Sequence, residues 1–452
     1  MGRFATVLAF ACLLLPGSAS AADFERRTVP AGGGFVAPGK TFQMVAFEWS
    51  GKGVPLIELR SEGPRGWSAW SDSGTEGVDG PDVVGGVDAN RRGSAPVWTG
   101  DARRIQVRLR GRGYGRVIAV FQTIPVAAGT AATGGAAPRT VTPKTKTSAD
   151  APAIVPRAQW DPRNRCRPKR KPYYGEVLGT VVHHTESTNS YSAGQAKSVV
   201  LGICRFHRYS RKWNDIGYNL LIDRFGTVYE GRAGGVEKPV IGAHAQGFNS
   251  ETAGISLIGG FMRTQPPDAT MDSLRKVLAW KLELAGLTRA ERSPLISAGG
   301  GSSRFKTGRV VFARTISGHR DLNFTDCPGT QLYAKLVALQ DLLTGPPRTA
   351  TRLSARLRRV KLPTGGQAVR ITGRLTAGGS PAAGQAIQME AFTARGWEQI
   401  ASGETDPAGI YRLQAAPRGR YYMRARFNGT DSLRFSRSRD YYSPKLKRAP
   451  NT

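Results

Sequence analysis

The pattern of apolar and polar positions changes character along the chain. Short alternating runs at 42–44, 105–109 and 117–121 recur through residues 22–126, and clusters of Gly, Pro, Asp and Asn separate them. Alternation with a period of two is typical of half-buried strands, so this stretch predicts a β-sandwich-like module. Residues 127–153 are rich in Ala, Thr and Pro and have little apolar surface to bury, which predicts a linker.

Residues 154–345 combine strand-like segments with amphipathic helices. Ser192 precedes one helical pattern, and a strand pair is expected around the turn at Gly226. A later helix is predicted from apolar residues at helical spacing, namely Leu274, Val277, Leu278 and Leu282. A Gly- and Ser-rich loop at 298–303 interrupts the pattern before a last helix. We therefore predict a central α/β domain with a mixed sheet and flanking helices.

Residues 351–445 return to short alternating runs, with a turn at Asp406-Pro407-Ala408-Gly409. This pattern predicts a C-terminal immunoglobulin-like β-sandwich, so the whole chain is expected to be multidomain. The formal net charge is +32 and the pI is about 10.7. Such a surface attracts polyanions, which include nucleic acid, anionic membranes and anionic polymers, and charge alone does not choose among them.

The N-terminus indicates the compartment. A basic start at Arg3 leads into an apolar run at 4–15, which is too short to span a bilayer, and small residues follow at 19–21. This pattern is typical of a secretory signal peptide, which we assign to residues 1–21. We expect a secreted, extracellular protein without a transmembrane segment, and export argues against nucleic acid as its partner.

Two distant segments carry metal-ligand chemistry. His183 and His184 end an apolar strand pattern, and His319 and Cys327 lie eight residues apart in a polar segment. Only one histidine of the pair can face a shared site, because successive side chains of a strand point to opposite faces. Two imidazoles and one thiolate suit Zn²⁺, with a fourth position open for water.

A rival interpretation makes Cys327 a nucleophile with a histidine base. The neighbouring Asp326 disfavours it, because an adjacent acid raises the pKa of a thiol.

Three cysteines remain after removal of the signal peptide, namely Cys166, Cys204 and Cys327. An odd number in an oxidising compartment requires an explanation. A disulfide between Cys166 and Cys204, with Cys327 as a metal thiolate, would account for all three. The alternative is that Cys204, on the apolar face of a helix, is a buried free thiol.

Residues 154–345 resemble the family of peptidoglycan recognition proteins and type 2 N-acetylmuramoyl-L-alanine amidases. The matching blocks occur in order over nearly 200 residues: Val182-His183-His184-Thr185, Trp213-Asn214-Asp215-Ile216-Gly217-Tyr218, Tyr229-Glu230-Gly231-Arg232, Gly242-Ala243-His244-Ala245, Gly247-Phe248-Asn249, Gly318-His319-Arg320 and Thr325-Asp326-Cys327-Pro328-Gly329. An ordered series of this kind is a specific signal for the family.

The resemblance implies that zinc is held by His183, His319 and Cys327. Family members that only bind peptidoglycan have usually lost the cysteine, so this chain is similar to the hydrolytic branch. The resemblance also implies a catalytic role for Tyr218, whose phenol can donate a hydrogen bond near the reacting carbonyl. Thr325 is a second catalytic candidate, at a position where some relatives carry lysine.

The matching blocks also supply candidate substrate contacts: His184, Glu230, Arg232, His244 and Asn249. Arg232 suits the carboxylates of a stem peptide, whereas His244 could equally be a buried histidine without contact to substrate. His207 is assigned to the core. Residues 351–452 hold 19 Lys and Arg against 6 Asp and Glu, so this end can also attract an anionic cell-wall polymer.

The expected function is that of a secreted, zinc-dependent N-acetylmuramoyl-L-alanine amidase. It would cut the amide bond between N-acetylmuramic acid and L-alanine in peptidoglycan. Three alternatives stay open at this point: a peptidoglycan receptor without activity, a basic adhesion protein with a vestigial amidase domain, and a zinc endopeptidase that cuts within the stem peptide.

Overall fold

The computed structural model describes residues 23–73, 81–82, 92–124, 151–287, 292–343, 349–363, 366–393, 396–430 and 432–446. The predicted signal peptide and nearly all of the predicted linker lie outside these residues. Among the helices of the described ranges, none has the length and apolar character needed to cross a membrane.

The N-terminal module consists of two antiparallel sheets that enclose an apolar core. One has the order β1-β10-β3-β7 with β8 also on β3, and the other has the order β2-β9-β4-β5 with β6 on β4. The core comes from alternate residues, such as Phe47 and Phe121, as the period-two pattern predicted. The strands are β1 (Phe24–Thr28), β2 (Gly33–Val36), β3 (Phe42–Gly51), β4 (Leu56–Gly63), β5 (Gly66–Trp67), β6 (Ser71–Ser73), β7 (Arg92–Gly93), β8 (Val97–Ala102), β9 (Arg104–Arg110) and β10 (Tyr114–Gln122).

The central domain is a six-stranded mixed sheet with helices packed against it. Its order is β11-β14-β13-β15-β12-β18, in which β13 and β14 are antiparallel and the other neighbours are parallel. The elements are β11 (Ile154–Val155), α1 (Arg157–Trp160), β12 (Gly179–His184), α2 (Ala193–Arg205), a short π-helix (Phe206–Ser210), β13 (Leu220–Ile222), β14 (Val228–Glu230), β15 (Thr252–Leu257), α3 (Asp268–Leu284), β16 (Arg292–Ile296), β17 (Val310–Arg314), β18 (Ile316–Gly318), α4 (His319–Leu322) and α5 (Thr330–Leu343).

Strand β12 lies between β15 and β18 in this sheet and is buried along its whole length. Helix α2 supplies one apolar cluster through Ala196, Val199 and Ile203, and α3 and α5 contribute leucines to another. The apolar residues therefore fall at the helical spacing that the sequence predicted. The pattern did not reveal the hairpin of β16 and β17, which flanks the Gly- and Ser-rich loop.

The C-terminal module again has two antiparallel sheets around one apolar core. One has the order β19-β21-β20 with β22 and β25 on β21, and the other has the order β24-β23-β26-β27 with β28 on β26. The strands are β19 (Thr351–Leu353), β20 (Arg356–Lys361), β21 (Gln367–Ala377), β22 (Ser380–Pro381), β23 (Ala386–Thr393), β24 (Gly396–Glu404), β25 (Ile410–Ala415), β26 (Tyr422–Phe427), β27 (Ser436–Arg437) and β28 (Tyr441–Tyr442).

A buried ionic cluster joins this module to the central domain. Glu176, which precedes β12, pairs with Arg424 and, at 2.6 Å, with Arg426. Arg437 contacts Glu251 of the central domain at 2.5 Å. Burial alone would raise the pKa of Glu176, but the three arginines hold that pKa below its ordinary value of 4.5. The carboxylate is therefore charged at neutral pH and stabilises the contact between the domains.

We predict that Glu176→Gln lowers the free energy of unfolding by about 3 kcal/mol, because it leaves buried arginines without their counter-charge. The pKa of Glu176 is lowered on folding, so the wild-type contribution is complete above pH 4.5 and is lost as the pH falls through the lowered value. Denaturant unfolding at several pH values measures both effects. Glu62→Gln, which breaks an exposed pair with Arg104, is the matched control, and an equal loss in both variants would contradict the prediction.

Candidate metal centre

The candidate metal centre lies at the edge of the sheet where β12 and β18 end. The two strands are parallel, and Val182 of β12 lies opposite Gly318 of β18. Since parallel neighbours run towards the same edge, the residues that follow this pair, His183 in β12 and His319 at the start of α4, lie close together. The centroids of their rings are 4.4 Å apart.

Cys327 reaches the same edge through the loop after α4. Its Sγ atom lies 3.7 Å from Nδ1 of His183 and accepts a hydrogen bond from the backbone N–H of His184. The hydroxyl of Thr325 accepts a hydrogen bond from the backbone N–H of Cys327 at 3.1 Å. The structure thus shows Thr325 in the turn that positions the thiol.

The three donors fit zinc. One ligand atom from each of His183, His319 and Cys327 lies within 4.8 Å of the others, and all three side chains are buried. Burial, and then the neighbouring His319, lower the pKa of His183 well below its ordinary value, which favours the neutral imidazole that binds metals. Two imidazoles and a thiolate are a donor set that Zn²⁺ accepts in catalytic sites.

A second group of possible ligands in the described residues does not fit a metal. It contains Cys166, Cys204 and Asp215. The two cysteines form a disulfide with their Cα atoms 6.1 Å apart, so neither offers a thiolate. Cys327 takes no part in a disulfide, so its thiol is available to a metal.

Tyr218 and His244 lie beside the metal donors. The ring centroid of Tyr218 is 5.4 Å from that of His183, and Nδ1 of His244 lies 3.1 Å from Nε2 of His183. Two glycines make room for the His244 ring, since a Cβ atom on Gly242 or Gly254 would approach it to 2.3 Å. The ring of His244 is therefore fixed against the candidate ligand His183.

Asn249 fixes the backbone of the His244 loop. Its Oδ1 atom accepts hydrogen bonds from the N–H groups of His244 and Ala245, at 2.7 and 3.0 Å. Its Nδ2 atom donates to Asp82 of the N-terminal module at 2.9 Å. These contacts place Asn249 behind the site, where it holds the loop.

The side chains of the remaining candidates, His184, Glu230 and Arg232, make their hydrogen bonds with other parts of the domain. His184 points to the other side of β12, where its Nδ1 atom accepts a hydrogen bond from the N–H of Phe261 at 3.2 Å. Glu230 accepts a hydrogen bond from the backbone N–H of Arg157, and Arg232 donates to the carbonyl of Ile216. The strand alternation therefore separates His184 from His183, as the sequence analysis expected of the pair.

His207 and Trp213 are neighbours of the site that sequence reasoning did not recognise. Their rings are stacked with centroids 4.5 Å apart. Together with Tyr218 and His244 they line a cavity of about 30 Å³. His207 is buried, as expected of a core residue, but it also lines this cavity. The short π-helix that carries it gives no periodic signal in the sequence.

The N-terminal module also lines this cavity, through Ser94, Ala95 and Pro96. No motif marks these residues, and their role depends on contact between two domains. Sequence patterns describe each domain separately, so they could not have identified this wall of the site.

Comparison with known families gives two matches. A family model described as "N-acetylmuramoyl-L-alanine amidase" matches residues 173–330. A second, described as "Rv3811 N-terminal galactose-binding domain-like", matches residues 20–151. Together the matches cover the N-terminal module and most of the central domain.

Individual relatives agree with the first match. The chain is 30% identical to a peptidoglycan-recognition protein of Drosophila melanogaster over 183 residues, which cover 40% of this chain and 85% of that protein. It is 30% identical to an N-acetylmuramoyl-L-alanine amidase of Homo sapiens over 217 residues, 47% of this chain and 33% of the relative. Among solved structures, wild-type Drosophila PGRP-LB is 27% identical, with a TM-score of 0.32, over 41% of this chain and 92% of that one.

We predict that Cys327→Ala weakens Zn²⁺ binding by more than about 100-fold, because even changes behind the ligands of a metal site cost 10- to 100-fold. Competition with a chromophoric chelator measures the affinity. His184→Asn is the control, since it keeps an acceptor for the N–H of Phe261 and changes only a side chain on the opposite side of β12 from the donors. Wild-type affinity in Cys327→Ala would show that the metal binds elsewhere, and an equal loss in the control would show that the effect is not specific to the thiol.

Proposed function

Because the chain belongs to the family of peptidoglycan recognition proteins and type 2 N-acetylmuramoyl-L-alanine amidases, we propose that it is a zinc amidase of peptidoglycan. It hydrolyses the amide bond between the lactyl group of N-acetylmuramic acid and L-alanine. The observation that supports this most strongly is the buried thiol of Cys327 beside His183 and His319. That set of donors is the one that the resemblance links to hydrolysis.

Each residue has a defined task in this proposal. His183, His319 and Cys327 would hold the metal, with the imidazole of His183 kept neutral by burial. Zinc supplies a Lewis acid that polarises the scissile carbonyl and lowers the pKa of a water molecule towards ~7. Tyr218 lies next to His183, where its phenol can donate a hydrogen bond to the oxygen that gains charge in the transition state.

His244 supports His183 through the contact between Nδ1 of His244 and Nε2 of His183. Its ring is fixed between Gly242 and Gly254, and its loop is held by Asn249. A ligand histidine that is held in one orientation binds its metal without reorganising, which raises affinity. We therefore assign His244 and Asn249 to positioning, and Tyr218 to contact with the reacting amide.

The same proposal includes export of the protein. The signal-peptide pattern of residues 1–21 supports it, and so does the buried disulfide between Cys166 and Cys204, since such bonds persist in oxidising compartments. The experiment is fractionation of cells of the native host, with an antibody that detects the protein. Retention of the full-length protein in the cytoplasm would contradict export.

We also assign the C-terminal module to the immunoglobulin-like sandwiches, because it has two antiparallel sheets around one core. A crystal structure tests its strand order.

The test of activity is mass spectrometry of the products that the protein releases from purified peptidoglycan. We expect free stem peptides that begin with L-alanine, and we expect chelator or Cys327→Ala to abolish them. Fragments cut within the stem peptide would identify an endopeptidase. Binding to the wall without any release would identify a receptor, and either result would overturn the proposal.

Tyr218→Phe tests the role of the phenol separately. Loss of one hydrogen-bond donor to the developing oxyanion lowers kcat by about 10²-fold, while Zn²⁺ affinity stays unchanged. Tyr411→Phe is the matched control, because that hydroxyl donates to Ser354 within the C-terminal module. If Tyr218→Phe kept full kcat, the phenol would have no part in the chemistry.

A further inference from the structure

The segment 93–98 of the N-terminal module, which we call the strap, lies beside Tyr218 and His244, which neighbour the metal donor His183. At its first end, the carbonyl of Ser94 accepts a hydrogen bond from Nη2 of Arg211 at 2.9 Å. At its second end, the backbone N–H of Trp98 donates to Oγ of Ser187 at 2.9 Å. Arg211 follows the π-helix of the central domain, whereas Ser187 follows the strand that carries His183. The strap is therefore bound on both sides of the site.

The strap covers the space in front of Tyr218 and His244. Ser94, Ala95 and Pro96 form one wall of the 30 Å³ cavity that these two side chains line. The three metal donors are at most 1% exposed, and Tyr218 is 7% exposed. The side chain that the proposed function brings into contact with substrate, Tyr218, is therefore almost completely buried.

The cavity that the strap lines beside Tyr218 and His244 is too small for the substrate of an amidase. A cavity of about 30 Å³ holds one or two water molecules, whereas ligand sites commonly measure about 300–1,000 Å³. A larger groove of about 390 Å³ lies between the module and the central domain, beside Ser187 and Asn189. The described residues that line it include none of the metal donors, nor Tyr218 or His244.

The strap is a fixed part of its module. The backbone N–H of Ser94 donates to the carbonyl of Phe47, and the hydroxyl of Ser94 accepts a hydrogen bond from the N–H of Phe47. Val97 packs in the core of the N-terminal module, and the next residue, Trp98, packs in a core cluster of the central domain. Exposure of the site therefore requires movement of the module as a body.

Helix α2 forms one of the contacts that oppose this movement. A Cβ atom on Gly202 would lie 2.6 Å from Ile124 and 2.7 Å from Met44 of the N-terminal module. Near the same end of the helix, Arg205 forms an ion pair with Asp23, and only 1% of its side chain is exposed. A larger side chain at Gly202 would therefore require Ile124 and Met44 to shift.

We propose that the N-terminal module is an inhibitory domain, whose strap closes the metal centre until the module swings away. The inhibition rests on the proposed amidase function, because only an active enzyme can be inhibited. The closure of the site does not depend on activity. In the closed state neither the glycan nor the stem peptide reaches Tyr218. The observed rate is then the intrinsic rate multiplied by the fraction of open molecules.

The experiment uses the full chain with the substitution Gly202→Leu, which places a larger side chain between α2 and the N-terminal module. Gly194→Leu is the matched control, because Gly194 lies on the exposed first turn of the same helix, with only a distant contact to Ser192. Asp23→Ala is a second opening variant, which leaves buried Arg205 without its partner. Thermal unfolding checks that each variant is folded.

The first readout is the rate at which N-ethylmaleimide labels Cys327 in the chelated protein, followed by mass spectrometry of the peptide that contains it. We expect labelling to accelerate at least about tenfold in Gly202→Leu and Asp23→Ala, and to stay unchanged in Gly194→Leu. Equal rates in all folded variants and the wild type would overturn the closure.

The second readout is the release of stem peptide from a soluble muramyl peptide. We expect the same two variants to release product at least about tenfold faster than the wild type. Faster labelling without faster release, in a protein that is active, would show that the strap does not inhibit. Faster labelling with no product from any variant would retain the closure and refute the amidase function.

Discussion

The parallel pairing of β12 with β18 is the constraint on which the metal centre depends. It brings His183 and His319 to one edge of the sheet, although the two strands are far apart in the chain. Cys327 joins them through the loop after α4, across a separation of 144 residues from His183. A donor set assembled in this way exists only in the folded domain, so metal binding and folding of the central sheet are coupled.

The neighbouring domains extend this constraint to the whole chain. The C-terminal module is attached through the carboxylate of Glu176, which is buried among arginines just before β12. The N-terminal module contacts α2 and the Asn249 loop, and it lines the cavity beside Tyr218 and His244. Both contacts are made with segments that adjoin the ligand strand, so the position of either module affects the environment of His183.

The grouping of His183, His319 and Cys327 could be predicted from the sequence, because few structural roles require these residue types together. Two imidazoles and a thiol indicated zinc, strand alternation indicated that only one residue of the pair His183 and His184 faces the site, and the resemblance chose His183. The structure places the ring of His184 on the opposite side, against Phe261. The helical spacing of apolar residues likewise predicted α2, α3 and α5.

Features that depend on contact between domains left no pattern to detect. Glu176 is a single acid in a loop, and Ser94 to Pro96 are small residues without a period. The π-helix that places His207 against Trp213 has no characteristic spacing, and the hairpin of β16 and β17 was hidden by the Gly- and Ser-rich loop between its strands. These elements are determined by tertiary packing, which local propensity does not encode.

The most direct test of the central claim is the zinc X-ray absorption spectrum of the purified full-length chain. We predict one sulfur ligand at about 2.3 Å, from Cys327, together with imidazole nitrogens at about 2.0–2.1 Å, from His183 and His319. A spectrum without sulfur scattering, or one of a site formed by several sulfurs, would contradict the convergence of β12 and β18 on a single metal.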